Sequence, residues 1–222
     1  MIASPKTKTR KKYWRQSFAQ EGEDLIIASC FEGRRNGFYV DVGAYHPKRF
    51  SNTQYFYLRG WRGINIDAMP GSMKLFRRTR PEDINLEAAI SDSRQELNFH
   101  VFNEPALNTF DPALAAERDG FLQFKIIRKI PIVTQPLAEV LDQNLPPGKK
   151  IEFLSVDAEG LDLQVLRSND WNNYVPEVVV VEDTSANTWQ EINVSTITEF
   201  LRAQRYEPFA STFRTIFYRR QK

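Results

Sequence analysis

Two apolar runs, each ending in an acid, constrain this chain more than any other feature. Residues 38–45 read Phe-Tyr-Val-Asp-Val-Gly-Ala-Tyr, a strand-like run that enters a turn at Gly43. A second run, Ile64-Asn65-Ile66, stops at Asp67. Asp67 lies 26 positions beyond Asp41, near the separation of about 20 residues at which doubly wound folds place a ribose-binding acid. The pairing predicts the first two strands of such a sheet, with a nucleotide-like cofactor at their carboxyl ends.

The rest of the chain alternates in the same way. Ser17 to Phe31 reads as a helix with Glu21, Glu23 and Asp24 in its first turn, where the helix dipole favours acids. Ser51 is a candidate cap for a short aromatic helix stopped at Gly60, and Pro70 opens another through Phe76. Ile84 to Ile90 predicts a third strand, with an alternating strand, Glu96 to Phe102, beside it. Residues 103–129, punctuated by Pro105, Pro112 and Gly120, read as an irregular insertion with some helix around Ala113 to Arg118. A strand near Ile130 to Thr134 and a helix from Pro136 to about Gln143 follow. Ile151 to Val156 and Glu177 to Val181, the latter almost continuous valine, predict strands, the second buried on both faces. A helix from Val194 to Gln204 and two short strands between Tyr206 and Tyr218, read as an antiparallel hairpin, close the chain. This order predicts an α/β fold with a doubly wound, mostly parallel sheet and right-handed crossovers.

Ligands of open α/β sheets bind beyond the carboxyl ends of the strands. Four predicted ends carry acids: Asp41, Asp67, Asp157 and Asp183. Gly43 would let backbone amides approach a ligand, and Asp67 would accept hydrogen bonds from two ribose hydroxyls. A full Gly-x-Gly-x-x-Gly fingerprint would need glycines where Tyr45 and Lys48 stand. A pyrophosphate cradle is therefore poorly supported, and a ribose-bearing cofactor without phosphate, S-adenosylmethionine, fits better. Asp157 and Asp183, with Glu159 and Glu182 nearby, are candidate ligands for Mg²⁺, whose charge would lower the pKa of an acceptor hydroxyl. His46, held before Pro47, is a candidate general base. Helix capping by the strand-end acids and aromatic core packing by Tyr55, Tyr57 and Trp61 are the structural readings of the same residues.

Several blocks together resemble the FkbM family of methyltransferases: Gln20 to Asp24, Val40 to Pro47, Ser51-Asn52-Thr53, Gly60 to Ile64, and Phe153 to Gly160. The likeness spans roughly residues 17–185. It implies a class I methyltransferase (Rossmann-like) fold with S-adenosylmethionine as donor. The reaction it implies is usually O-methylation, on acceptors that range from small molecules to saccharides. Carried over by position, Asp41, Gly43 and Ala44 line the methionine end of the cofactor and Asp67 holds the ribose. Glu87 is a candidate for the adenine edge, Gln20 for the cover over the cofactor, and Asp157 and Glu159 for the catalytic side of the site. Asp67 stands where the family more often has glutamate, and Tyr45 where asparagine is commoner.

Bulk properties narrow the remaining classes. A chain of 222 residues suffices for one α/β domain, read here as residues 17–222 after a flexible basic arm, residues 1–16. The net charge of +2 argues against a general nucleic-acid binder, although Lys6 to Arg15 and Arg219 to Lys222 are locally basic. The single cysteine, Cys30, excludes an intramolecular disulfide. No apolar run is long enough for a membrane span or a secretory signal, so the simplest expectation is the cytoplasm. Two other functions compete with methyl transfer: a nicotinamide-dependent oxidoreductase, and a non-catalytic binding module that uses its basic ends.

Overall fold

The computed structural model describes residues 15–221. The basic arm expected over residues 1–16 lies almost wholly outside the described residues. In chain order the strands are β1 (Phe38–Val42), β2 (Arg62–Asp67), β3 (Ile84–Glu87), β4 (Ala89–Ile90), β5 (Glu96–Phe102), β6 (Ile126–Gln135), β7 (Phe153–Val156), β8 (Val178–Glu182), β9 (Tyr206–Ser211) and β10 (Thr215–Arg220). The helices are α1 (Glu23–Cys30), α2 (Gln54–Tyr57), α3 (Met73–Thr79), α4 (Pro112–Arg118), α5 (Leu137–Asn144), α6 (Asp162–Arg167), α7 (Trp189–Val194) and α8 (Thr196–Ala203).

Seven strands form one sheet in the order β3-β2-β1-β7-β8-β10-β9. The first five run parallel, and β10 lies antiparallel between β8 and β9 as the expected C-terminal hairpin. Strand order reverses between β1 and β7, so the ends of β1, β2, β7 and β8 open onto one crevice. Alternation along the strands divides the core in two. Val40, Val42, Ile64, Leu154, Val179 and Val181 pack beneath α5, α6 and α8. Tyr39, Phe153, Val178, Val180 and Phe217 face Ile27, Phe56 and Trp61 on the other side. Trp61 and Tyr55 are therefore core residues.

Four local readings change. The helix expected from Ser17 begins only at Glu23, because the Asp24 carboxylate accepts from Ser17 Oγ (2.6 Å) and Phe18 N (2.7 Å) and holds residues 17–22 as a loop. The strand read over 84–90 breaks after Glu87: Ala88 N donates to Asp67 O, and the buried pair Ala89 and Ile90 turns into a second sheet. That three-stranded sheet has the order β4-β6-β5, so β5 lies beside β6 and not beside β3. Last, Val194 to Gln204 is interrupted at Ser195, whose extended backbone and hydroxyl cap the N-terminus of α8.

Candidate active site

The turn after β1 is fastened to the end of β2. Gly43 N and Ala44 N both donate to Ile66 O, at 2.9 and 3.0 Å, and Tyr45 N donates to Asp67 Oδ2 at 2.8 Å. The expected supply of free amides at Gly43 is thus already spent on β2. Gly43 is required for a different reason. Its φ is +82°, and an added Cβ would stand 1.7 Å from the Asp157 carbonyl oxygen. Glycine lets the ends of β1 and β7 close against each other.

A cavity of about 900 Å³ lies over these strand ends, a size usual for a ligand site. Gln20, Gly43, His46, Asp67, Asp157 and Glu159, all singled out in the sequence, line it. Asp41, Ala44 and Glu87 do not. Asp41 turns away into the interior, where it accepts from Thr53 Oγ1 at 3.0 Å, and burial pushes its pKa up to about 6. Ala44 packs with Met73 and Phe76. Glu87 pairs with Arg77 at 3.2 Å, and its neighbours Ala88 and Ile90 line the cavity in its place.

Asp67 keeps its position with both oxygens oriented: Oδ1 accepts from Met69 N (2.8 Å) and Oδ2 from Tyr45 N. Each carboxylate oxygen retains a second lone pair for a ligand hydroxyl. Burial raises its pKa, and the two amide bonds oppose that rise.

His46 is placed differently from a base. Its Nδ1 accepts from Lys48 N and Arg49 N, both at 3.0 Å. Burial, then Arg49, Arg80 and Lys48, lowers its pKa, so the neutral ring carries its proton on Nε2. In this tautomer the imidazole offers the cavity a donor, and a proton cannot be taken at Nδ1 without breaking two backbone bonds.

The acids on the other side of the cavity come together at the ends of β7 and β8. One carboxylate oxygen from each of Asp157, Glu159 and Glu182 lies within 4.8 Å of the others. Asp183, expected as the metal partner of Asp157, falls outside this group, its Oδ1 accepting from Ser185 N (3.1 Å) and Oγ (2.6 Å). Glu159 pairs with Arg118 at 2.9 Å and has a left-handed backbone, φ +49°. Asp157 Oδ1 is buried with no partner among the described residues. Burial and then the charge of Glu182 raise the Asp157 pKa well above its ordinary value of 3.8. Glu182, raised by burial and then by Glu159, titrates at about 8.

Three further residues organise the site, and two of them, Arg80 and Arg118, carry no signal in the sequence. Arg80 is fully buried and donates to Gln54 Oε1 (3.1 Å), Thr53 Oγ1 (2.8 Å), Ser51 Oγ (2.8 Å), Asn65 Oδ1 (3.3 Å) and the Pro47 carbonyl. Asp162 accepts from Ala158 N (2.8 Å) and Gly160 N (3.3 Å) and so shapes the loop that bears Asp157 and Glu159. Arg118 reaches across from α4. Only the position of Asp162, five residues beyond Asp157, hints at a local turn acceptor.

A largely parallel sheet, a crevice at its switch point and an oriented acid at the end of β2 define a Rossmann-like fold, which binds its ligands at such a crevice. Residues 41–208 match the model of the methyltransferase FkbM domain. The chain belongs to that family and is an S-adenosylmethionine-dependent methyltransferase. This replaces the oxidoreductase and non-catalytic readings.

Among solved structures, the chain is similar to the C-terminal domain of precorrin-6Y C5,15-methyltransferase from Rhodobacter capsulatus, at 12% identity and TM-score 0.44, covering 90% of this chain and 88% of that one. It is also similar to 1,6-didemethyltoxoflavin-N1-methyltransferase from Burkholderia thailandensis, at 13% and 0.43, covering 91% and 80%. A third is a TehB-like methyltransferase from Corynebacterium glutamicum, at 9% and 0.42, covering 90% and 88%. No curated protein matches the chain. Among the described residues, no helix is long and apolar enough to cross a membrane.

Proposed function

We propose that the protein methylates a hydroxyl group of a small molecule. The observation that carries this reading is that one cavity joins the oriented Asp67 carboxylate to the Asp157, Glu159 and Glu182 cluster. The first end suits the donor's ribose, with Ala68, Met69 and Ala88 as apolar walls for a base. S-adenosylmethionine, when bound, supplies an electrophilic methyl group. The residues of the chain then have two tasks, to align the acceptor and to receive its proton.

Glu182 suits the second task. Glu159 is neutralised by Arg118 and His46 presents a donor, whereas Glu182 titrates at about 8, close enough to neutrality to accept a proton and release it again. His46 Nε2 can donate to a polar group of either ligand. Calorimetry with S-adenosylhomocysteine tests the donor half. Binding is expected in the wild type and should weaken roughly tenfold or more in Asp67→Ala, the scale of a lost charge-assisted hydrogen bond. Absence of any heat of binding in the wild type would overturn the assignment.

The second reading places a divalent cation on the acid cluster. It is favoured by an unpartnered buried oxygen on Asp157, Oδ1, in a residue whose carboxylate lies close to those of Glu159 and Glu182. Hard oxygen ligands of this kind suit Mg²⁺, which would act by lowering the pKa of the acceptor hydroxyl. Asp157, Glu159 and Glu182 would hold it. Calorimetric titration of Mg²⁺ into the protein, with Glu182→Gln as control, separates this reading from a cation-free carboxyl cluster.

A further inference from the structure

The acceptor half of the cavity is closed by the segment between β5 and β6, and its chemistry is one-sided. Leu107, Leu114, Phe121 and Phe124 all line the cavity. Phe121 is 63% exposed, and Leu122 beside it is 71% exposed on a backbone with φ +52°. Adjacent large apolar side chains left open beside a cavity mark a surface that a ligand covers.

Glu117 lines the cavity without a partner among the described residues, and the other polar groups of the same segment are largely committed. Asn108 Oδ1 accepts from Phe102 N at 2.8 Å, and Thr109 Oγ1 donates to Glu159 O at 2.5 Å. Asp111 caps α4 by accepting from Ala113 N at 2.7 Å. Arg118 is held by Leu107 O at 3.1 Å and by Glu159. Asn103 is tied to Gln123 O and Lys125 N, at 2.8 and 2.9 Å. A saccharide seated against this wall would find Glu117 as an acceptor, but hydroxyls covered by Leu107, Leu114, Phe121 and Phe124 would lose their partners, which is unfavourable for each of them. A planar apolar body would lose nothing there and would cover the phenylalanines. The carboxyl cluster at the base of the cavity can then receive one hydroxyl.

We infer that the acceptor is a hydroxylated molecule with an aromatic or polycyclic body, seated on Leu107, Leu114, Phe121 and Phe124, and not a bare saccharide. The inference rests on the methyl-transfer reading and narrows its substrate class.

The test uses the full chain saturated with S-adenosylhomocysteine. Saturation-transfer NMR is run with 7-hydroxycoumarin, kaempferol and estradiol as apolar probes, and with methyl glucoside and sucrose as saccharides. At least one apolar probe should bind saturably and the saccharides should not. Phe121→Ser should weaken that probe by about tenfold or more, the loss of one aromatic contact area. Its melting temperature and its affinity for S-adenosylhomocysteine should stay at the wild-type values, since Phe121 is an exposed side chain. Saccharide binding without apolar binding would overturn the inference, as would apolar binding unchanged by Phe121→Ser or no binding by any apolar probe. Failure to bind S-adenosylhomocysteine is a separate result, and it would overturn the methyl-transfer reading on which the inference stands.

Discussion

Replacing Arg80 with methionine tests whether the cofactor side of the site depends on a buried guanidinium. Methionine keeps most of the side-chain length and removes the charge and every donor. In the native protein that guanidinium serves Ser51, Thr53, Gln54, Asn65 and the Pro47 carbonyl, and it lies 4.0 Å from the Asp83 carboxylate. It is also the nearest compensating charge for Asp41. The variant therefore leaves acids in the interior without their cation, a change that costs about 3–5 kcal/mol. A domain of this size loses about 2–4 °C of melting temperature per kcal/mol, so a fall of about 6–20 °C is expected. Differential scanning calorimetry at pH 7 reads it directly. Because the carbonyl of Pro47 and the side chain of Ser51 anchor the loop after His46, affinity for S-adenosylhomocysteine should fall as well, at a temperature where the variant is still folded. A melting temperature within 2 °C of wild type would refute the reasoning (about 1 kcal/mol or less).

Three further outcomes follow from the same geometry. Gly43→Ala, which forces a Cβ to within 1.7 Å of the Asp157 carbonyl oxygen at a φ of +82°, should either fail to fold or melt well below wild type with cofactor binding lost, as circular dichroism and calorimetry will show. Asp41 has a folded pKa of about 6, above the ordinary 3.8, so its contribution is fully present below pH 3.8 and is lost as pH rises through 6. The stability of Asp41→Asn relative to wild type should accordingly increase between pH 4 and pH 7, by up to about 3 kcal/mol in urea titrations. Asp162→Ala removes the acceptor of two loop amides and should cost about 1–3 kcal/mol, with weaker S-adenosylhomocysteine binding because the Asp157 loop loosens. A variant indistinguishable from wild type in chemical denaturation would rule out that role.

Much of the frame is legible in the order of residues alone. Strands β1, β2, β7 and β8 stand out at nearly their observed limits because each is a short apolar run bounded by glycine, proline or acids. The helix starts are less legible. Asp24 has the look of a first-turn acid and is instead the acceptor that holds the preceding loop. The turn to the second sheet at Ala88 is also hidden, since Ala89 and Ile90 are apolar in either sheet. At the site, Asp67, Gly43, His46, Asp157 and Glu159 are marked by position along the chain, and all five line one cavity. Asp41 and Ala44 share the motif with Gly43, but Asp41 is drawn into the interior by Thr53 Oγ1 and Ala44 packs on Met73 and Phe76, partners that lie far along the chain.

The sequence by itself determined the order of strands and helices, the acids at the strand ends, and the family. Those properties are local: hydrophobic period, turn residues and motif blocks are each written within a few consecutive positions. Only the tertiary structure decided what each acid faces. Side-chain direction at a strand end depends on neighbouring strands and on which backbone amides are free. That is why Asp67 looks into the cavity, Asp41 looks toward Arg80, and Glu182 replaces Asp183 beside Asp157. Burial, which sets the charge state of that cluster, is likewise a property of the whole packed molecule.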